Sequence, residues 1–152
     1  ITYYTVHPDL PKTITDRMNR TTTFNYNANG TVSSVVDADN KTTSFTYNAR
    51  GQVLTATNAL NKTTTYAYTP QGQLSTFTDP LNRVTAYTYD TLGRLKTITD
   101  PKNNVTEYTY DVLDRVTAIK DPLLNSTTFT YDDNGNLLTL TDVNNRTTTY
   151  VY

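Results

Sequence analysis

The side chains that could do chemistry recur at a fixed spacing along the chain. Carboxylates stand 21 residues apart at Asp79, Asp100, Asp121 and Asp142. Paired carboxylates can act as a general acid and a general base, and stacked Asp and Asn oxygens can bind calcium. These acids, however, lie in segments rich in Pro and Asn that are typical of turns, and the segments lack the dense oxygen spacing of calcium-binding loops. We therefore predict that the four carboxylates cap turns.

Other catalytic and metal-binding chemistry has little support in the residue types. The chain has a single His, His7, which stands beside Pro8, and it has no Cys and no Trp. A nucleophile–histidine triad, a His-rich metal site and a Cys-ligated metal are therefore not favoured. The sequence predicts no catalytic residue, no metal site and no cofactor.

The composition narrows the class of protein. The 152 residues include 13 Lys and Arg against 14 Asp and Glu, a formal net charge of -1. This balance argues against a basic nucleic-acid surface, and no apolar stretch approaches the roughly 20 residues needed for membrane insertion. Tyr occurs 13 times and Thr is the commonest residue, and both favour strands. Because the chain begins at Ile1, we expect it to be a piece of a longer protein.

A 21-residue repeat runs through the whole chain without insertion or deletion. One tyrosine series comprises Tyr26, Tyr47, Tyr68, Tyr89, Tyr110, Tyr131 and Tyr152. A second aromatic stands two residues earlier, at Phe24, Phe45, Tyr66, Tyr87, Tyr108, Phe129 and Tyr150. A turn residue follows four residues after the tyrosine, at Gly30, Gly51, Gly72, Gly93 and Gly135, with Asp114 in the fifth repeat. We predict a single array of about seven repeats over 1–152, in which the aromatic side chains form a structural ladder.

One repeat can be interpreted as two strands and two turns. Residues 84–89 alternate aromatic with small side chains, which is typical of a strand, and 94–99 form a second strand. Asp90 to Gly93 and Asp100 to Asn103 carry the Asp, Pro, Gly and Asn that turns favour. The sequence therefore predicts an all-β antiparallel meander of about 13 or 14 short strands with no helix.

The odd repeat length raises a question of sheet face. Two three-residue loops would shift the register by about 20 residues, so one residue per 21-residue repeat is left over. A β-bulge between Leu95 and Ile98 would keep both on the face with the tyrosines, whereas an even-length second turn would send Ile98 to the opposite face. The Ile98 column is apolar in every repeat, which favours the bulge. In either case, equivalent tyrosines are expected two strands, roughly 9–10 Å, apart.

The repeat unit also carries a family resemblance. It reads Tyr87-Thr88-Tyr89-Asp90-Thr91-Leu92-Gly93-Arg94-Leu95, followed by Thr99-Asp100-Pro101. This resembles the YD repeat of the Rhs family, which is shared with teneurins and the C component of bacterial toxin complexes. The resemblance covers about residues 12–152. It implies a β-sheet that spirals into a hollow shell or tube, often enclosing or carrying another polypeptide, in a secreted or surface-exposed protein. The strict 21-residue period fits the wall of a self-stacking fibre equally well.

Seven asparagines stand in Asn-x-Ser/Thr motifs, at Asn19, Asn29, Asn40, Asn61, Asn104, Asn125 and Asn145. Glycosylation of these residues would coat one edge of the sheet with sugar. Asn also suits a left-handed turn position before a strand that begins with Thr, which creates the motif without any modification.

The sequence as a whole favours a structural role. A single sheet of this many strands must coil, close with further repeats of the same chain, or associate end to end with other copies. We predict a non-enzymatic wall segment of a secreted or cell-surface Rhs assembly, with an enclosed polypeptide or a glycan as a further partner. The alternative is a surface recognition module that binds glycan or protein through its tyrosine-rich face.

Overall fold

The computed structural model of the chain describes residues 2–3 and 9–152, and every helix-or-strand element within them is a β-strand. The chain divides into two compact units, Ile1–Arg83 and Val84–Tyr152. The single histidine, His7, lies outside the described residues, as does Pro8 beside it.

Both units are antiparallel meanders. In the first unit the strands are β1 (Thr2–Tyr3), β2 (Pro11–Thr15), β3 (Thr21–Tyr26), β4 (Val32–Val36), β5 (Thr42–Tyr47), β6 (Val53–Thr57), β7 (Thr63–Tyr68) and β8 (Leu74–Thr78). In the second they are β9 (Val84–Tyr89), β10 (Leu95–Thr99), β11 (Val105–Tyr110), β12 (Val116–Lys120), β13 (Ser126–Tyr131), β14 (Leu137–Thr141) and β15 (Thr147–Thr149). Within each unit, every strand pairs antiparallel with the next one along the chain. The predicted all-β antiparallel meander is confirmed, and the described residues contain 15 strands rather than the roughly 13 or 14 predicted.

A register shift recurs near the start of each even-numbered strand. Tyr89 pairs with Leu95 and Tyr87 pairs with Ile98, so the second strand carries one extra residue between these two pairs. The same shift occurs where β2, β4, β6, β8, β12 and β14 pair with the strand before them. Because Leu95 and Ile98 are both opposite tyrosines, they share the tyrosines' face of the sheet. The β-bulge is therefore confirmed, and Ile98 is not sent to the opposite face.

Equivalent residues of neighbouring repeats do not lie directly opposite one another. Phe45 pairs with Ala56, and Ala56 pairs with Thr64 on the following strand. The residue equivalent to Phe45 is Tyr66, which lies two positions further along that strand. The aromatic ladder is therefore oblique, with an offset of about 6.6 Å along the strands in addition to about 9.6 Å across them. The roughly 9–10 Å expected between equivalent tyrosines is therefore too short, because it assumed that they lie directly opposite one another across two strands.

The two turns of a repeat share one backbone conformation. The amide of Gly93 donates to the carbonyl of Asp90 at 3.0 Å, and the amide of Asn103 donates to the carbonyl of Asp100 at 2.9 Å. The donor residue is left-handed in both turns, with φ of 84° at Gly93 and 64° at Asn103. Gly adopts this conformation without a steric penalty, and Asn tolerates it better than other side chains. This explains why Gly and Asn recur at the two turn positions.

Neither unit contains a closed core. Among the described residues, no hydrophobic side chain is fully buried; most apolar strand residues are half-buried, and Ile14, Val84 and Val105 are exposed. Each unit is thus a single layer of strands, and its packing occurs between neighbours within that layer.

Candidate functional site

The aromatic pairs of the odd-numbered strands and their pairing partners define one face of the sheet, which we call the tyrosine face. Its inner aromatic column packs against the next strand: Tyr66 meets Phe77 edge to face, with ring centroids 5.7 Å apart and an interplanar angle of 65°. The other members of the column up to Phe129 also lie opposite apolar residues or Ala. At the end of the chain the rings are more open, with Tyr150 38% and Tyr152 76% exposed.

The second tyrosine of each pair reaches back to the preceding repeat. Tyr47 donates its hydroxyl proton to the carbonyl of Val32 at 2.8 Å, and Tyr110 donates to that of Leu95 at 2.8 Å. Equivalent bonds join Tyr26 to Pro11, Tyr68 to Val53 and Tyr131 to Val116. Each acceptor stands at the bulge, where the regular ladder of backbone hydrogen bonds is interrupted. The phenol therefore satisfies a carbonyl at the irregular point of the strand.

The environment of three tyrosines, Tyr47, Tyr89 and Tyr110, disfavours ionisation of the phenol. Burial raises the pKa of Tyr47, and it is also the main cause that raises the pKa of Tyr89 and Tyr110. The neighbouring Tyr87 and Tyr108 add to the rise for Tyr89 and Tyr110, respectively. Tyr47 and Tyr110 therefore stay protonated donors at neutral pH, as their bonds to the carbonyls of Val32 and Leu95 require.

Two arginines link consecutive repeats of the second unit. Arg115 donates from Nε to Oδ2 of Asp111 at 2.6 Å and from Nη1 to the carbonyl of Asp132 in the next turn at 2.9 Å. Its guanidinium carbon also lies 4.7 Å from the ring centroid of Tyr131. Arg94 makes the same three contacts one repeat earlier, with Asp90, with the carbonyl of Asp111 and with the ring of Tyr110. Each arginine thus joins its own turn, the next turn and the tyrosine between them.

In the first unit, glutamine takes a similar position. Gln52 donates from Nε2 to the carbonyl of Gly72 at 2.7 Å, and its Oε1 accepts from Nδ2 of Asn48 at 2.9 Å. This link uses neutral hydrogen bonds where the second unit uses an ion pair and a cation–ring contact.

The predicted turn carboxylates lie in turns and hold backbone amides. In the turn that starts at Asp100, Oδ1 accepts from the amides of Lys102 and Asn104 at 2.8 and 2.9 Å, and Oδ2 accepts from Nδ2 of Asn104. Asp121 repeats all three contacts, with Asn125 in place of Asn104. Asp79 and Asp142 repeat the two backbone-amide contacts, and Oδ2 of Asp79 accepts from Nε of Arg83. The hydrogen bond from the Asn104 side chain lowers the pKa of Asp100, and the backbone bonds lower it further.

The predicted turn glycines all have positive φ, between 78° at Gly51 and 91° at Gly72. Leu124 is an exception among the turn residues, because it has φ of 68° although its side chain is branched. Six asparagines occupy the position of Leu124 in the other second turns, at Asn19, Asn40, Asn61, Asn82, Asn103 and Asn145.

The structure sorts the Asn-x-Ser/Thr motifs by geometry. Asn19, Asn40, Asn61 and Asn145 have φ near 60° and are exposed. Asn104 and Asn125 follow the left-handed residue instead, and their Nδ2 donates to Asp100 and Asp121. Asn29 lies in the first turn of its repeat, between β3 and β4, and its Oδ1 accepts from the hydroxyl of Thr31 at 2.7 Å.

The opposite face of the sheet is rich in threonine hydroxyls that bond across strands. The hydroxyls of Thr46 and Thr55 form a hydrogen bond with an oxygen–oxygen distance of 2.7 Å, and those of Thr57 and Thr63 form one at 2.8 Å. In the second unit Thr88 and Thr97, and Thr130 and Thr139, form pairs at 2.6 Å. These pairs explain much of the threonine content, because each side chain combines a β-branched carbon with a bonded hydroxyl.

The described part of the chain offers little else for chemistry. Within residues 2–3 and 9–152, no group of three or more His, Cys, Asp and Glu is placed to hold a metal ion. The same residues contain no helix that is long and apolar enough to cross a membrane.

The fold and the repeated contacts define a β-meander built from 21-residue YD-type repeats. The chain belongs to the RHS repeat family: the family model described as RHS Repeat matches residues 26–63, 47–77, 68–105 and 89–123, which together extend over 26–123. The family resemblance read from the sequence is therefore confirmed. A comparison with curated proteins gave no significant match.

Solved structures share this fold. The crystal structure of TcdB2-TccC3-Cdc42 is 21% identical with a TM-score of 0.70, and the match covers 81% of this chain and 7% of that one. The Photorhabdus luminescens Tc holotoxin pore with a mutation in TccC3 is 21% identical with a TM-score of 0.69, over 81% of this chain and 7% of that one. The crystal structure of TcdB2-TccC3-TEV is 21% identical with a TM-score of 0.67, and the match covers 80% of this chain and 7% of that one. This chain therefore spans about 7% of the length of the chains it resembles.

Sequence reasoning missed the links between turns. Arg94 and Arg115 were not singled out, although each follows a turn aspartate by four residues. The signal was the recurrence of a long polar or amide side chain directly after the turn-glycine position in the second to sixth repeats, at Gln52, Gln73, Arg94, Arg115 and Asn136.

Proposed function

We propose that the chain is a non-enzymatic structural segment of a secreted or cell-surface Rhs assembly, in which its repeats form part of a shell, tube or fibril wall. The observation that carries this proposal is the recurrence of the same contacts between repeats. Tyrosine hydroxyls and turn side chains are used to join one repeat to the next. The recurring turn carboxylates hold backbone amides, so their obvious use is structural.

The exposed surface supports a role inside a larger assembly. Among the described residues no hydrophobic side chain is fully buried, and the aromatic residues of β3–β14 are only half-buried. Further repeats, another copy or an enclosed polypeptide would cover the half-buried tyrosine face.

Electron microscopy combined with tyrosine labelling tests this proposal. We expect material purified from its source to form shells, tubes or fibrils in negative stain, with Tyr66, Tyr87 and Tyr108 protected from nitration. Monodisperse monomers whose three tyrosines react as readily as free tyrosine would contradict the proposal.

Recognition of glycan or protein is a second candidate, favoured by two grooves beside the tyrosine pairs. The groove in the first unit has a volume of about 470 Å³ and that in the second about 420 Å³. Their walls include Leu54, Tyr66 and Tyr68 in one unit and Lys96, Tyr108 and Tyr110 in the other. Tyrosine rings can stack on sugar rings. Glycan-array binding that Tyr66→Ala and Tyr108→Ala abolish would support this role, and an inert wild-type chain would exclude it.

Glycosylation of the asparagine motifs stays a prediction. Exposure of Asn19, Asn40, Asn61 and Asn145 supports it, because their side chains stand at a turn edge. Intact mass spectrometry of the natural protein decides the question: a mass of 17.1 kDa for this chain, without added sugar, would contradict it.

A further inference from the structure

Two turns of the first unit present apolar tips among basic side chains. Leu60, after β6, is 77% exposed, and Leu81, after β8, is 68% exposed. Lys62 follows a turn that begins with Asn58 rather than Asp, and it has no carboxylate within 4.0 Å in the described part of the chain. Arg83, two residues after Leu81, pairs with Asp79 of its own turn at 2.6 Å, so Lys62 carries the unpaired positive charge. We call Leu60, Lys62, Leu81 and Arg83 the basic patch.

Turns of the second unit present apolar tips among acidic side chains. Leu92, after β9, is 72% exposed, and Val112 and Leu113, after β11, are 95% and 61% exposed. Asp114 follows directly and pairs with Arg94 at 2.8 Å. The exposed Asp133 lies in the next turn of the same kind, and it has no cation within 4.0 Å among residues 2–3 and 9–152. We call Leu92, Val112, Leu113, Asp114 and Asp133 the acidic patch.

The two patches match in charge. The first unit has seven Lys and Arg against five Asp and Glu, a net charge of +2, whereas the second has six against nine, a net charge of -3. The uncompensated charges of the patches, Lys62 on one and Asp133 on the other, also have opposite signs. Opposite charges on two surfaces favour their encounter and disfavour contact of either surface with its own kind.

The two patches also match in spacing. Leu60 and Leu81 are one repeat apart, and Leu92 and Leu113 are one repeat apart as well. Since both pairs stand at the tips of turns built on the same 21-residue period, the leucines of one patch can lie beside those of the other in register. Leu60 can lie beside Leu113 of the other copy while Leu81 lies beside Leu92. In this alignment Lys62, two residues after Leu60, and Asp133, one turn of the same kind beyond Leu113, are at the same end of the contact.

We propose that the basic patch on one copy of this chain binds the acidic patch on another copy. The contact joins unlike surfaces, so each copy keeps one free patch of each kind in a growing chain of molecules. Such a contact associates sheets through their turn edges, independently of strand pairing at the ends of the array. The match of charge and period within one sequence commits the proposal to a second copy rather than to a lipid surface.

Sedimentation velocity over a concentration series tests the contact. The wild-type chain is expected to form dimers and larger species as concentration rises, and high salt should weaken them because the charges are exposed. Leu60→Asn/Leu81→Asn removes the tips of the basic patch, and Leu92→Gln/Leu113→Gln removes those of the acidic patch. Equivalent turns already carry Asn144 and Gln71, so the turns tolerate these residues. Each double variant should raise the dissociation constant at least about tenfold.

Mixing the two variants gives the sharpest test. Each variant alone lacks one half of the contact, but an equimolar mixture restores a single intact contact between unlike copies. The mixture is therefore expected to form dimers and nothing larger. Leu123→Asn, which removes an equally exposed leucine outside both patches, is the matched control and should associate like the wild type.

Several outcomes would overturn the proposal. A wild-type chain that stays monomeric at every concentration would do so, as would an acidic-patch variant that associates normally. A mixture that forms no dimers would show that the patches do not bind each other. Circular dichroism of each variant verifies that the strands are retained, so that lost association is not confused with unfolding.

Discussion

At the scale of single residues, Leu124 is the one branched apolar residue with a left-handed backbone among the described residues. It adopts φ of 68° in a turn whose equivalents carry Asn. The left-handed conformation costs an ordinary L-residue about 1–2 kcal/mol, and its exposed side chain gains little in return. Leu124→Gly is therefore expected to stabilise the chain by about 1 kcal/mol, which corresponds to about 2–4 °C in Tm for a protein of this size. Thermal unfolding followed by circular dichroism measures the change.

The reverse substitution provides the control. Asn103 has φ of 64° at the equivalent position, so Asn103→Leu should destabilise the chain by a similar amount. If Leu124→Gly lowered Tm, or if Asn103→Leu left it unchanged, the strain assigned to Leu124 would be absent.

The tyrosine hydroxyls allow a second comparison between neighbouring residues. The hydroxyl of Tyr110 bonds to the carbonyl of Leu95, whereas that of Tyr108 has no hydrogen-bond partner among the described residues. Tyr110→Phe should cost about 0.5–1.5 kcal/mol, because it leaves a carbonyl without its donor. Tyr108→Phe keeps the ring and loses no bond, so it should be close to neutral. Urea unfolding of both variants decides, and equal effects would refute the role given to the Tyr110 hydroxyl.

At the scale of the strand and turn, the contacts of Arg115 make a graded prediction. Arg115→Ala loses the bond to Asp111, the bond to the carbonyl of Asp132 and the contact with Tyr131 together. Tm is expected to fall by about 2–4 °C. Arg115→Gln should lose less, because Gln52 already bonds a carbonyl of the next turn from the equivalent position. Differential scanning calorimetry gives the order, and a Gln variant as unstable as the Ala variant would contradict it.

The regular part of the fold could be predicted from the sequence because each repeat specifies it independently. Alternation over 84–89 indicates a strand, and the apolar Ile98 column favours the bulge that the structure contains. The oblique offset between repeats was not predicted, although the sequence contains it: two three-residue loops account for about 20 of the 21 residues and the bulge adds one more position, so equivalent residues are displaced by two positions. The reach of Arg94 to the next turn was hidden, since it depends on that offset and on the bulk of Tyr110.

At the scale of the whole molecule, stability depends on neighbouring repeats rather than on a shared core. No described hydrophobic residue is fully buried, and the contacts that join repeats recur from one to the next. The stability of such an array is close to a sum of local terms, so its two units can respond differently to the same condition. The distribution of turn aspartates makes acid the condition that should separate them.

The second unit is expected to lose structure first as pH falls. Five of its turn aspartates have pKa values below the ordinary 3.8: Asp90, Asp100, Asp111, Asp121 and Asp132. In the first unit the same shift affects Asp16 and Asp79, while Asn27, Asn48 and Asn58 begin other turns and do not titrate. A carboxylate whose pKa is lower in the folded state stabilises that state above the unfolded value of 3.8. This stabilisation disappears as pH falls below about 4, because the unfolded chain binds protons more readily.

Pulsed hydrogen exchange with mass spectrometry measures this difference by unit. Samples equilibrated at pH 6 and at pH 3 receive the same brief deuterium pulse. The pH 3 sample should take up more deuterium than the pH 6 sample, and this increase should be larger in peptides from 84–152 than in peptides from 9–83. Asp100→Asn/Asp121→Asn/Asp132→Asn should reduce the difference, because an asparagine such as Asn58 accepts the same two turn amides without taking up a proton. Equal acid sensitivity of the two units, or an unchanged response in the triple variant, would mean that the turn aspartates do not control the stability of the array.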